Sequence, residues 1–157
     1  MHPKELVETV ETTEDYKTFH TIHPDYYLAM VFTLGDEWKV AYYSPEEDKM
    51  VTFSTNPVKS GEPEDVFKKD NTVKKLEMKE VKVGIEAVNK ACEVLHAAKY
   101  ALHPVTKKII VLQNHDGLMY NITMMTGTLA VINIKIDAKT GELISDAVTS
   151  AMSFQKE

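Results

Sequence analysis

The chain has 157 residues, 43% of them hydrophobic, enough for a real core in one ordinary domain or in two small, closely packed halves. Its 24 acids outweigh 18 bases for a net charge of -6, and every base is lysine, so the planar guanidinium fork that suits phosphate and guanine is missing and nucleic-acid binding is not expected. The single cysteine, Cys92, rules out an internal disulfide, so the fold does not depend on an oxidising compartment.

Residues 1–17, MHPKELVETVETTEDYK, hold no apolar run of the length a secretory leader needs, and no stretch of the chain approaches a membrane span; the expected location is cytoplasmic. His20, His23 and Asp25 in HTIHPD gather side chains that could hold a metal at a loop, but they read as a solvated segment just ahead of a strand. Tyr26 and then YLAMVFTL, ending at Leu34, are rich in strand formers, and Gly35-Asp36 follows as a turn. Trp38, Val40 and Tyr42 alternate with Lys39, Ala41 and Tyr43 as a second strand, SPEEDK makes the next turn, and Val51 and Phe53 share one face of a third. This predicts an antiparallel meander.

From Ser54 to about Lys75 prolines, glycine and charges read as a connection, in which Pro63, Glu64 and Asp65 could open one short helix. The strongest helical pattern runs from about Val83 to Leu102, with Ile85, Val88, Cys92, Leu95, Ala98 and Leu102 on one stripe, and His103-Pro104 ends it. Strand patterns follow in KIIVLQN, LMYNITMM and LAVINIKID, separated by turns at His115 to Gly117 and Thr126 to Thr128. Asp137 to Glu142, DAKTGE, then sits between Ile132, Ile134 and Ile136 and the returning Leu143 and Ile144. A calcium loop would need oxygen ligands at alternate positions, but Lys139 takes the place of the third, so a hairpin turn is preferred.

GIEAVNKA at Gly84 to Ala91 and IDAKTGELI at Ile136 to Ile144, in the order helix, strand, strand, strand and D-A-x-T-G-E hairpin, resemble the PepSY domain family over residues 81–147. EWKVAYYSPEEDKMV in the first half has a similar strand, acidic turn and returning strand, and reads as a degenerate second copy within residues 1–55. The resemblance implies an α+β, cystatin-like fold with a helix packed across an antiparallel β-meander. Two such repeats are expected: a β-rich half at 1–55 and a helix-plus-meander half at 81–157, joined by a polar connection at 56–80. It also implies peptidase inhibition or modulation, or a binding module, and carries no catalytic residues.

The constellations that could do chemistry each have a plainer reading. Cys92, His96 and His103 line one side of the predicted helix and could hold zinc, but Lys99 lies among them, and a buried thiol and a histidine bonded to a carbonyl account for the pattern. His115-Asp116 sits at a hairpin tip rather than in an acid-base site, and Asn121-Ile122-Thr123 matches a glycosylation acceptor inside a strand. No nucleophile, base and orienter fall into a recognisable spacing, so no catalytic residue, metal or cofactor is assigned.

The aromatic residues carry the functional expectation. Tyr42 and Tyr43 cannot both face the helix, and exposed Tyr and Trp supply large contact area at little rotamer cost. The expected function is a non-catalytic protein- or peptide-binding module with Tyr27, Trp38, Tyr43 and Tyr120 as partner contacts. Two alternatives stay open: a small-ligand or enzymatic domain with a pocket lined by His96 and Tyr120, and a homo-oligomer, such as a dimer, made by pairing sheet faces or edges.

Overall fold

The computed structural model describes residues 1–66 and 73–150. Two helices open the chain, α1 at Pro3–Glu11 and α2 at Glu14–Ile22. Strands β1 (Tyr27–Leu34), β2 (Glu37–Ser44), β3 (Lys49–Thr55), β4 (Val58–Ser60) and β5 (Glu64–Asp65) follow. After a short 3-10 turn at Met78–Glu80 come α3 (Ile85–Lys99), β6 (Val105–Asn114), β7 (Leu118–Thr126), β8 (Ala130–Asp137) and β9 (Leu143–Ser150). The fold is α+β: an antiparallel sheet in the order β4-β3-β2-β1-β6-β7-β8-β9, with β5 also paired to β3 and the helices packed against the sheet.

The two opening helices have clear local causes, yet neither is anticipated above. In α1, Pro3 occupies the first turn, where its missing N–H costs nothing, and the His2 ring accepts from the Lys4 amide. Leu6, Val7 and Val10, spaced for one face, enter the core. In α2, Thr13 caps the Tyr16 amide at 3.2 Å, and Glu14 and Asp15 complement the positive end of the helix. His20 therefore lies in a helix rather than in a solvated loop.

Helix α3 is shorter than the predicted Val83 to Leu102. Ile85, Val88 and Cys92 are buried and Leu95 is half-buried, but the helix stops at Lys99 because Tyr100 leaves helical geometry and turns its ring inward. Leu102 is consequently 88% exposed and Ala98 lies on the solvent side. The expected helix at Pro63 is also corrected, since Glu64 and Asp65 pair with Met50 and Lys49 as β5. Within the expected connection, β4 pairs with β3 from Val58 to Ser60, and residues 67–72 lie outside the described residues.

The halves share one sheet. β1 pairs with β6 only from Met30 to Phe32, but the junction is extended at both ends. The Thr33 hydroxyl accepts from the Ile110 amide at 2.9 Å, and the Leu76 amide donates to the Leu28 carbonyl at 2.8 Å. The core lies between sheet and helices, where Val10, Val31, Val40, Phe53, Leu112, Tyr120, Ile122 and Ile132 are essentially inaccessible. Each such side chain contributes about 1.5–3 kcal/mol relative to exposure.

Candidate binding surface

The register places rows of side chains across the whole sheet. On the helix side one row reads Phe53, Val40, Val31, Leu112, Tyr120, Ile136, Leu143, and all but the last are buried. The adjoining row points the other way and reads Ser54, Lys39, Phe32, Val111, Asn121, Lys135, Ser145. Its first six residues are half-buried, and no helix among the described residues packs on that side. Flanking rows add Thr52, Met30 and Gln113, with Ala41 and Met119 buried among them, and Ile109, Thr123 and Asn133. The open face thus has an apolar centre at Met30, Phe32, Ile109 and Val111, with amides, hydroxyls and lysines around it.

Where β4 and β5 turn along the edge of β3, the open face deepens into a cleft of about 490 Å³. Phe32, Leu34, Thr52 and Ser54 line it, with Lys39, Lys59 and Glu64 at its walls. Gly61 fits there because its amide donates to the Thr52 carbonyl at 2.8 Å and an added Cβ would lie 3.2 Å from that oxygen. Farther along the face, the Asn133 amide donates to the Asn121 side chain at 2.6 Å, holding both in fixed orientation.

The four aromatic residues expected as contacts are scattered. Tyr27 and Tyr43 sit opposite each other on the open side, their rings 5.8 Å apart and edge to face. Tyr43 is nevertheless buried, its hydroxyl donating to Asp48 at 2.6 Å, while half-buried Tyr27 donates to the Val73 carbonyl. Trp38 is on the helix side, packed against the core beside a cleft that also includes Thr33, Ile85 and Asn89. Tyr120 is fully buried and donates to the Val83 carbonyl at 2.6 Å, so it is a core residue and offers no contact surface. Tyr43 is corrected on the same ground. Phe32 and Val111 reach this face by alternation with buried Val31 and Leu112, a local signal that residue type alone does not carry.

On the helix side, Glu11, Tyr16, His20, Tyr26, Tyr42 and Leu76 border a cleft of about 390 Å³. Tyr42 donates to Glu11 at 2.8 Å and Tyr26 to Glu47 at 2.5 Å. Burial, with the Glu11 charge nearby, pushes the Tyr16 phenol up to about 12. Burial also raises Tyr42, reinforced by Glu11. These pairs join α1 and the β2–β3 turn to the sheet, and every buried side-chain nitrogen and oxygen among the described residues has a hydrogen-bond partner.

The remaining candidates are likewise occupied. Cys92 is in the core, and burial raises its thiol. His96 bonds the His103 carbonyl at 2.7 Å and His103 bonds Thr128 at 2.6 Å, so the three are not gathered on one point. His96 lines a cleft of about 250 Å³ from which Tyr120 is absent, so the pocket lined by both is not formed. His23 packs against Tyr26, and Asp25 accepts from Ser44. Asp137 to Glu142 is a hairpin turn, in which Asp137 Oδ1 accepts from Lys139 at 2.8 Å and Thr140 at 3.1 Å, and Gly141 has φ +83°.

No family model matches the chain, and no curated protein matches it. Among solved structures, the crystal structure of a "putative lipoprotein" from Clostridium difficile 630 is similar, with a TM-score of 0.54 over 85% of this chain and 89% of that chain. Sequence identity is 14%, so the likeness concerns the fold alone. No helix among the described residues is long and apolar enough to cross a membrane.

Proposed function

We propose that the protein is a non-catalytic binding module that takes a polypeptide on the open face of its sheet. The observation that carries this reading is the half-buried row Lys39–Phe32–Val111–Asn121–Lys135, on the side no helix covers, running into the cleft beside β4. An apolar centre with fixed amides and a polar rim is the anatomy of a recognition surface rather than of an enclosed small-molecule site. Lys59 and Lys135, beside a Lys39 that is paired with Glu37 at 3.7 Å, favour a segment with one or two apolar side chains beside acidic ones, although the chain as a whole is acidic. Tyr27 remains a rim contact in this reading.

The PepSY resemblance of residues 81–147 points the same way, toward binding or peptidase modulation. The proposal that the halves are two copies of one unit is supported by the strand order, which runs outward from the β1–β6 junction through a four-stranded meander on each side. The test is selection of a displayed random-peptide library on the immobilised protein. Enriched peptides should be apolar and acidic and lose at least about tenfold in affinity on Phe32→Lys, a loss of roughly 1.4 kcal/mol. Peptides indifferent to Phe32→Lys and Val111→Lys, or no enrichment, would remove the reading.

A further inference from the structure

The two edges of the sheet are treated differently. At one end β4 spans three residues, contains Lys59, follows Pro57, and is succeeded by Gly61 and Pro63 before the two-residue β5. Short strands, lysine and proline are the devices that keep an edge from pairing with another chain. At the other end β9 runs eight residues, LISDAVTS, without lysine, proline or glycine. Among the described residues no strand pairs with the outer side of Leu143 to Thr149. Its side chains are almost all exposed, with Leu143 at 48%, Ile144 at 50% and Val148 at 44%.

We propose that β9 pairs antiparallel with β9 of a second copy across a two-fold axis, joining two sheets edge to edge. Outward backbone N–H and C=O groups are directional, and another strand satisfies them as water does while burying the apolar side chains between them. A two-fold contact sets a strand against itself, so it must avoid opposing like charges. Centred on Ala147, the register puts Ser145 opposite Thr149 and Asp146 opposite Val148, and no charge faces its own copy. Asp146 is the only charged residue of β9 and is already held by Lys99 at 2.9 Å and by the Tyr100 hydroxyl. A neutral strip of this kind is where two chains of net charge -6 can meet.

Pairing through one eight-residue strand is a small contact of the weak, transient class, so the dimer is expected at high protein concentration. It joins the two open faces into one continuous surface. This inference stands on the edge alone and is independent of the peptide-binding reading.

Sedimentation equilibrium of the full chain between roughly 1 and 300 µM tests it. The average mass should rise from 17.8 kDa toward twice that value. Ala147→Lys places like charges on the axis at an exposed position and should raise the dissociation constant at least about tenfold with an unchanged melting curve. Lys59→Ala at the guarded edge should leave it unchanged. As a second arm, Ala147→Cys should cross-link to dimer with a short bis-maleimide, since Cys92 is buried. A monomer throughout this range would overturn the proposal. So would a dimer that ignores Ala147→Lys and is not captured through Ala147→Cys.

Discussion

Tyr42 and Tyr43 are neighbours in sequence and are buried on opposite faces of one strand, at 1% and 5% exposure. Tyr42 ties the sheet to α1 through Glu11, and Tyr43 ties it to the following turn through Asp48. Both faces of β2 are therefore closed at this end, and the open surface begins beyond it, at Phe32 and Lys39.

Burial makes the tyrosines reporters of alkaline stability. Burial raises Tyr16, Tyr26, Tyr42 and Tyr120, and acceptance by Asp146 raises Tyr100. Raised folded values favour the protonated phenol, so the associated stability is complete below the unfolded value of about 10 and is lost as pH climbs from there toward the folded values. Chemical denaturation midpoints should fall above about pH 10, with tyrosinate absorbance lagging that of the urea-unfolded chain. Parallel titration of folded and unfolded protein would contradict the burial.

The two faces should differ in mutational cost. Ile122→Ala removes a fully buried side chain and should cost about 2–5 kcal/mol, whereas Val111→Ala, half-exposed on the other face, should cost about 1 kcal/mol or less. Equal costs in urea melts would mean that something covers the open face.

In the Asp137 to Glu142 hairpin, Gly141 at φ +83° cannot be replaced cheaply. Gly141→Val should destabilise the protein by about 1–2 kcal/mol or more. Asp137→Ala, losing two bonds to exposed amides, should cost about 1 kcal/mol or less and leave calcium content unchanged. Stoichiometric calcium lost on Asp137→Ala would contradict the turn assignment.

The strands and hairpins were legible because period-2 alternation and turn residues are local. Ile132, Ile134 and Ile136 are buried as their pattern requires, and the core of α3 follows its stripe. Helix α1 does carry helical spacing in its buried Pro3, Leu6, Val7 and Val10, but over nine residues only, and α2 has no buried residue to mark a stripe. The Thr13 cap followed by Glu14 and Asp15 was the available cue. The β1–β6 junction joins residues some eighty positions apart, which no local pattern encodes. Tyr120 misled because a tyrosine in a strand looks the same whether its hydroxyl meets water or, as here, a buried carbonyl.

The thiol gives a local probe of the helix. Cys92 is buried and its thiol is raised, so it should resist an aromatic disulfide reagent in native buffer and react at once in denaturant. Cys92→Asp should cost several kcal/mol by burying a charge without a partner. A native reaction as fast as the unfolded one would displace Cys92 from the core.

The most direct measurement of the central claim is amide chemical-shift mapping with a library-selected peptide. Binding on the open face predicts the largest shifts at Phe32, Lys39, Val111, Asn121 and Lys135, with α1 and α2 undisturbed. Shifts concentrated instead around Glu11, Tyr16, His20 and Leu76 would place the site in the helix-side cleft and contradict the account.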